Sequence, residues 1–273
     1  MKTEAQQYFE DEMHLFRDNP VINWHEHVWE SKPGVLNEST LQNLLFAGKQ
    51  THTDLFMISC PITNDQFCTP ERFRLANNVV LGAVKRYPKR LRGMCFVNPG
   101  YTKEALEEID RCRANGFVGV KMYHQYRMDD PVQFPIIEKC IKLDMPILMH
   151  AGKLTYQPES QPRISHGEYF AHVAKRYPEA NLIMAHITGG GDWHWQLKGM
   201  EKCPNVVLDI SGSVIDSPVV EECVARIGAS RILYGTDGST SSGVGKVLAA
   251  NISEKDKKTI LAGTKYRHFL EKE

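Results

Sequence analysis

Five residues of this chain have types and positions that suit metal-assisted chemistry. His25 and His27 are two residues apart, and His150, His186 and Asp237 each lie at or just after the end of a short apolar run. Side chains two apart on a β-strand point to the same side, so both imidazoles of the pair can reach one ion. Neutral imidazole and carboxylate ligands suit Zn²⁺, Mn²⁺ or Fe²⁺. The five residues therefore predict a divalent-metal site, with zinc as the first expectation.

The predicted metal would lower the pKa of a bound water and polarise an oxygen of a substrate. Asp237 would stay ionised beside a cation, where it can hold the ion or the water and accept a proton. His186 has two interpretations, a further metal ligand or an acid/base group that orients water and substrate. We prefer the acid/base role.

Eight short apolar runs, rich in Val, Ile and Leu, carry these residues. They are Val21–His25, Leu55–Ile58, Gly93–Val97, Phe117–Lys121, Pro146–His150, Leu182–His186, Val206–Asp209 and Arg231–Gly235. Their ends recur about every 30 residues, which is the size of one βα unit. Strict alternation with helical stretches predicts a closed parallel (β/α)₈ TIM barrel, with a doubly wound open sheet as the competitor. The carboxyl ends of barrel strands converge at one face, where active sites are built.

Helical periodicity fills the segments between these runs. The predicted helices are Leu41–Lys49, Pro70–Tyr87, Lys103–Ala114, Phe134–Leu143, Glu168–Tyr177 and Val219–Ile227, preceded by an amphipathic helix over Ala5–Phe16. No Gly-x-Gly-x-x-Gly follows the first run, which weakens a dinucleotide-binding interpretation. We find no linker or low-complexity segment. The prediction is one barrel domain over residues 1–273, with residues 1–20 as a helical extension.

Composition excludes several other classes of function. The 273 residues suit one barrel, and Lys+Arg and Asp+Glu are both 33, without the basic excess of a nucleic-acid binder. No apolar stretch approaches the ~18 residues of a membrane span, and the amino terminus lacks the apolar core of a secretion signal. The seven scattered cysteines lack Cys-x-x-Cys spacing, which argues against a disulfide framework. We expect a cytoplasmic enzyme with a small-molecule substrate and no nucleic-acid or membrane partner; a homodimer is compatible with the class.

Four segments resemble the motifs of the amidohydrolase superfamily, in the branch that includes aminocarboxymuconate-semialdehyde decarboxylase. They are His25–His27, Leu148–Gly152, Ala185–Gly190 and Leu233–Asp237, and the likeness runs from about Val21 to Phe269. The resemblance implies a barrel in which one divalent metal is bound, with a catalytic histidine on the sixth strand. The implied ligands are His25, His27, His150 and Asp237, and the implied catalytic residue is His186. This chain departs from the family at Asn23-Trp24, where the usual pattern is Asp-x before the first histidine.

Lys121 ends the fourth run, where binuclear amidohydrolases carry a carbamylated lysine that bridges two metals. Such a lysine must be neutral to take up CO₂, which burial near cations favours. The alternative is that its ammonium binds an anionic substrate or pairs with a carboxylate, and resemblance to mononuclear members favours this alternative. Residues that follow the fourth to sixth runs are candidate substrate contacts or ordinary loop residues: Tyr123, His124, Tyr126, Arg127, Lys153, Arg163, His166, Trp193 and His194.

Three hypotheses for function follow. The leading hypothesis is hydrolysis of an amide, lactone or ester bond of a small molecule, in which Asp237 takes a proton from the attacking water and His186 assists. The second is decarboxylation or hydration of a small carboxylated substrate, because the same residues serve lyase chemistry. The third is an inactive barrel used as a binding module. A binding module has no need of all five metal-site residues, which argues against the third hypothesis.

Overall fold

The computed structural model describes residues 3–63, 65, 67–152, 161–187, 193–212 and 218–270. Eight parallel strands form one sheet in chain order: β1 Ile22–His27, β2 Leu55–Ser59, β3 Leu91–Phe96, β4 Gly119–Met122, β5 Ile147–Met149, β6 Leu182–Met184, β7 Val206–Asp209 and β8 Ile232–Leu233. The N–H of Trp24 donates to the carbonyl of Tyr234, and that of Asp237 to the carbonyl of His25, both at 2.8 Å. These bonds join β1 to the end of β8. The predicted (β/α)₈ barrel is confirmed.

Helices alternate with the strands and surround the barrel. They are α1 Glu4–Glu12, α2 His14–Arg17, α3 Glu38–Gln50, α4 Pro70–Arg86, α5 Thr102–Ala114, α6 Phe134–Leu143, α7 Gly167–Arg176, α8 Trp193–Leu197, α9 Val219–Ile227, α10 Thr240–Ala249 and α11 Glu254–Ala262. Short 3₁₀ segments lie at Pro131–Gln133, Met200–Lys202, Ala229–Arg231 and Thr264–Leu270, and a two-stranded hairpin, Glu30–Lys32 with Val35–Leu36, follows β1. The six predicted barrel helices are all present.

Some helices differ from the prediction. The expected single helix over Ala5–Phe16 is divided at Met13 into α1 and α2. Helices α8, α10 and α11 are additional. The first turn of α10, Thr240–Gly243, contains weak helix formers, so its sequence gives little helical signal. Helix α11 begins where the Ser253 side chain accepts from the backbone N–H of Asp256, and this cap compensates for its weakly amphipathic sequence.

Apolar side chains fill the inside of the barrel. This inner core contains Ile22, Trp24, Met57, Met94, Val118, Leu148, Ile183, Val207 and Leu233. Tyr266 and Phe269 of the last 3₁₀ segment pack on it, and the Tyr266 hydroxyl donates to the carbonyl of Leu182 at the start of β6. These rings lie at the amino-terminal end of the strands, whereas the polar side chains of the predicted site lie at the carboxyl end. No helix in the described part of the chain is long and apolar enough to cross a membrane.

Candidate metal centre and active site

Strand β1 brings His25 and His27 to the carboxyl end of the barrel. Their ring centroids are 5.1 Å apart and the rings are nearly perpendicular. Nδ1 of His25 lies 2.8 Å from Oδ2 of Asp209, and Nδ1 of His27 lies 2.9 Å from Oγ of Ser59. A carboxylate only accepts, so His25 carries its proton on Nδ1 and keeps the lone pair on Nε2. Burial lowers the pKa of both imidazoles, which keeps them neutral as metal ligands must be.

Asp237 completes a three-residue cluster with the two histidines. Its Oδ1 lies 3.0 Å from Nε2 of His27 and 3.8 Å from Nε2 of His25. Burial alone would raise the pKa of this carboxyl, but the imidazoles of His25, His27 and His186 outweigh burial and hold the pKa well below its usual range. One donor atom from each cluster residue lies within 4.8 Å of the others. Two imidazole nitrogens and one carboxylate oxygen fit a divalent cation and leave positions open for a substrate.

The backbone at two site residues is left-handed, with φ 46° at Asp237 and 60° at His186. Residues other than glycine rarely adopt this conformation, and such strain is concentrated at functional sites. The turn at Asp237 is held by Glu26, whose Oε1 and Oε2 lie 3.1 and 3.0 Å from the backbone nitrogen of Gly238. Burial raises the pKa of Glu26 to about 7. Glu26 therefore fixes the Asp237 turn, a role that the His-x-His pattern does not indicate.

His186 lies between the cluster and His150. Its Nε2 is 3.0 Å from Nδ1 of His150 and 3.8 Å from Oδ2 of Asp237. Nε2 of His150 lies 2.9 Å from Oε1 of Gln161. The two rings thus share one hydrogen bond, between Nε2 of His186 and Nδ1 of His150. Burial lowers the pKa of His186 to about 4, so the ring is neutral at pH 7.

His150 lies beside the three-residue cluster and not within it. In the described part of the chain, its ring nitrogens are not among the donor atoms that group within 4.8 Å. The ring of Tyr123 stacks on His150, with the centroids 4.1 Å apart and the planes 29° apart. Burial, and then the neighbouring His186, lower the pKa of His150 well below its ordinary value. The ligand role of His150 stays a prediction.

Lys121 is fully buried at the end of β4, and its Nζ lies 2.7 Å from Nε2 of His25. Burial lowers the pKa of its ammonium to about 8, while Asp237 and Asp209 oppose that change. The lone pair that accepts this hydrogen bond is the same one that a metal would take from His25. A metal and the Lys121 hydrogen bond therefore compete for one nitrogen.

Asp209 and Ser211, which the prediction omitted, connect the histidines to one another. Ser211 Oγ lies 2.8 Å from Nδ1 of His186 and 3.2 Å from Nδ1 of His25. A Cβ at Gly235 would lie 3.0 Å from Cβ of His25 and 3.3 Å from Cβ of Asp209, so glycine allows these residues to approach. Asp209 ends the seventh apolar run, and a carboxylate at the end of a barrel strand could have been predicted to belong to the site. Ser211 had no such signal.

Among the predicted substrate contacts that the structure describes, Tyr123 and His124 have rings beside the site histidine His150, with centroids 4.1 and 5.8 Å from its ring. Arg127 lies over the ring of Tyr169 at 4.9 Å, and Arg163 over that of Tyr126 at 5.3 Å. His124 is buried beside Tyr123, with ring centroids 4.5 Å apart, His166 packs against Tyr169, and Trp193 stacks on His194. Lys153 lies outside the described residues.

Known proteins with similar sequences or folds include decarboxylases and a hydratase. The 2-amino-3-carboxymuconate-6-semialdehyde decarboxylase of Dictyostelium discoideum is 25% identical over 197 residues, 59% of this chain and 54% of that protein. The match thus spans about half the length of that curated relative. A manganese-bound dihydroxybenzoic acid decarboxylase from Polaromonas sp. JS666 superposes with a TM-score of 0.72 at 17% identity, covering 93% of this chain and 98% of its own.

A 4-oxalomesaconate hydratase from Rhodopseudomonas palustris superposes with a TM-score of 0.68 at 15% identity, covering 92% of this chain and 96% of its own. At these identities the two structures show the fold. The family is shown by sequence, because residues 56–260 match the model of the amidohydrolase family. That segment includes Lys121, His150, His186 and Asp237. The chain belongs to the amidohydrolase family.

Proposed function

We propose that this chain is a metal-dependent lyase that decarboxylates a small, conjugated carboxylic acid. The observation that carries the proposal is the position of Lys121, a buried cation directed at the His25, His27 and Asp237 cluster. In the described part of the chain no carboxylate lies in hydrogen-bond contact with this ammonium, which suits the binding of an anionic substrate. A neutral amide or ester would not use that charge.

The comparisons support lyase chemistry better than the hydrolysis that leads the sequence analysis. The curated relative and the Polaromonas structure are decarboxylases, and the third protein is a hydratase. Hydration of a carboxylated substrate is therefore the related alternative. Hydrolysis of an amide, lactone or ester is the outcome that would reject the lyase proposal.

His25, His27 and Asp237 would hold the divalent metal, with His150 as the predicted fourth ligand. When bound, the metal would polarise a substrate oxygen and draw electron density away from the carbon that loses its carboxylate. Zinc is the first expectation from the ligand types, and the manganese in the Polaromonas decarboxylase makes manganese the alternative. Metal analysis of protein purified without chelators tests the site. About one equivalent supports the mononuclear site, and about two would promote Lys121 to a carbamylated bridge.

The chain's own residues would bind the carboxylate and supply a proton. Lys121 would pair with the substrate carboxylate once its hydrogen bond to Nε2 of His25 is broken. The bond to that carboxylate breaks, CO₂ leaves, and the electron pair passes into the conjugated system. The carbon then takes a proton from Nε2 of His186, which lies 3.8 Å from Asp237 and 3.0 Å from His150. A proton from solvent then restores the neutral ring of His186, so that one proton is taken up for each CO₂ released.

The experiment is turnover of hydroxybenzoates and unsaturated dicarboxylates in ¹⁸O-labelled water. We expect one CO₂ per product and no ¹⁸O in the organic product. Addition of ¹⁸O without CO₂ release would indicate a hydratase, and ¹⁸O in a product of bond cleavage would indicate a hydrolase. The variant His186→Asn should keep its metal and lose about 10²- to 10⁴-fold in kcat. Loss of the metal in this variant would instead make His186 a ligand.

A cytoplasmic location and a homodimer remain parts of this proposal. The family membership and the small-molecule enzymes among the similar proteins support an intracellular metabolic enzyme. Cell fractionation tests the location, and light scattering of the purified protein tests the oligomeric state. Monomeric mass at the working concentration would reject the homodimer.

A further inference from the structure

Helix α10 carries a buried lysine, Lys246, that the proposed reaction does not use. Its side chain is 8% exposed, and its Nζ donates to the carbonyls of Ile210 and Gly212 at 3.0 and 2.5 Å. A buried ammonium is costly unless hydrogen bonds compensate for the lost water. The two carbonyls belong to the turn that follows β7. A charged group is thus committed to holding one short backbone segment.

The residue between those two carbonyls is Ser211, and it contacts the site directly. Its Oγ donates to Oδ1 of Asp209 and lies 2.8 Å from Nδ1 of His186 and 3.2 Å from Nδ1 of His25. Its backbone N–H donates to Oδ1 of Asp209 at 2.8 Å, and the other oxygen of Asp209 lies 2.8 Å from Nδ1 of His25. Displacement of this turn would therefore change the partners of Nδ1 on both rings.

Helix α10 also packs against the segment that follows β8 and carries Asp237. A Cβ at Gly243 would lie 2.5 Å from Cγ2 of Thr236, so glycine permits a close approach of the helix to the residue before Asp237. Lys246 lies one turn further along the helix and reaches the end of β7. The helix thereby ties the Asp237 turn to the Ser211 turn.

We propose that Lys246 is a positioning residue, whose contacts with Ile210 and Gly212 hold Ser211 and Asp209 where they set the tautomers of His25 and His186. The tautomer matters because a proton on Nδ1 of His25 leaves Nε2 available to a metal, and a proton on Nε2 of His186 is the one that the proposed reaction transfers. The consequences for metal binding and proton transfer rest on the proposed function. The hydrogen bonds of Lys246 and Ser211 do not depend on the proposed function.

A lysine that only stabilises the fold provides the matched control. Lys257 of α11 also donates to a backbone carbonyl, that of Leu248, at 2.7 Å. Within the described part of the chain, this hydrogen bond joins α11 to α10 and does not involve the site residues. Lys257→Met should lower thermal stability without changing the site. Lys246→Met should lower thermal stability and also change the site.

The experiment compares Lys246→Met, Lys246→Arg and Lys257→Met with the wild-type protein in two measurements. Long-range ¹H–¹⁵N NMR of the metal-free protein reports which ring nitrogen is protonated, with signals assigned from His25→Gln and His186→Gln variants. Competition titration reports the affinity for Mn²⁺. In Lys246→Met we expect mixed tautomers at one or both histidines and about 10- to 100-fold weaker Mn²⁺ binding. Lys246→Arg keeps a positive charge with several hydrogen-bond donors. It should therefore restore most of the wild-type tautomers and most of the Mn²⁺ affinity.

Wild-type tautomers and wild-type Mn²⁺ affinity in folded Lys246→Met would overturn the proposal. So would the same tautomer change in Lys257→Met, because the effect would then be a general loss of stability. If Lys246→Met does not fold, Lys246→Gln, which keeps one donor and loses the charge, is judged by the same two measurements. If the wild-type protein binds neither Zn²⁺ nor Mn²⁺, the proposed function fails, and the NMR comparison still decides the role of Lys246.

Discussion

Two buried carboxylates, Asp209 at the end of β7 and Glu108 on α5, have similar surroundings and different consequences. They are 0% and 3% exposed, and both are fully engaged in hydrogen bonds. Glu108 accepts from Nε of Arg111 at 2.7 Å and from Nδ2 of Asn77 at 2.9 Å. Asp209 accepts from Nδ1 of His25 at 2.8 Å.

The difference lies in what the partners can still do. Arg111 and Asn77 satisfy Glu108 and join α4, β3 and α5, since Asn77 also bonds the backbone of Phe96 in both directions. The histidine bonded to Asp209 keeps a second ring nitrogen that faces the cluster. Burial and charge therefore do not distinguish the structural network around Glu108 from the network around Asp209 at the candidate site. A site is marked by partner groups with an available lone pair or proton.

The largest expected effect comes from the site side of this comparison. Asp237→Asn keeps the shape of the side chain and removes the charge that balances a cation. We expect loss of bound metal and a fall in kcat on the order of 10³-fold, with an unchanged far-UV circular dichroism spectrum. Metal analysis and turnover on the same preparation provide the measurement. Full metal content and activity would show that the cluster is misassigned.

For the structural network around Glu108 we expect a loss of stability without a loss of activity. Glu108→Gln leaves the Arg111 guanidinium without its carboxylate and should lower the free energy of unfolding by about 3 kcal/mol. The kcat per folded molecule should stay at the wild-type value. Urea denaturation measures the change, with the exposed neighbour Glu107→Gln as control. A loss of kcat in folded Glu108→Gln would remove the distinction between the two networks.

Acid should destabilise the metal-free protein through the imidazole network. Unfolded His186 takes up a proton near pH 6.5, whereas the folded ring does so only near 4. Between these values the unfolded state binds more protons, so stability falls as the pH falls from 6.5 towards 4. His186 alone should contribute a loss on the order of 2 kcal/mol between pH 7 and 5. Urea denaturation in EDTA measures this, and His186→Gln should reduce the pH dependence. An equal pH dependence in that variant would contradict the assignment.

The smallest effect expected is at Lys121. Lys121→Met removes the cation and keeps the length of the side chain. We expect KM for a carboxylated substrate to rise about 10-fold with a smaller change in kcat, because the lost contact exists before and during the reaction. Steady-state kinetics on the substrate found in the screen provide the measurement. If metal content falls from two equivalents to none, Lys121 is a bridging ligand and not a substrate contact.

Local patterns in the sequence were sufficient for the barrel. The apolar runs and the helical periods between them depend on neighbouring residues only, and each predicted run contains an observed strand or overlaps one. The helices that the prediction omitted have little local signal, as in the Thr240–Gly243 start of α10. His25, His27 and Asp237 were also predictable, because strand ends in a parallel barrel must meet at one face.

The sequence by itself thus determined the family, the architecture and the candidate residues for a metal site. Only the tertiary structure decided how those residues are held. His25 and Asp209 are 184 residues apart, and Ser211 reaches His25 across 186. Lys246 contacts the Ser211 turn from a helix with no motif. Such contacts depend on the closure of the barrel, which brings the ends of β1, β6, β7 and β8 together. No local periodicity encodes that meeting, because it arises from packing of the whole chain.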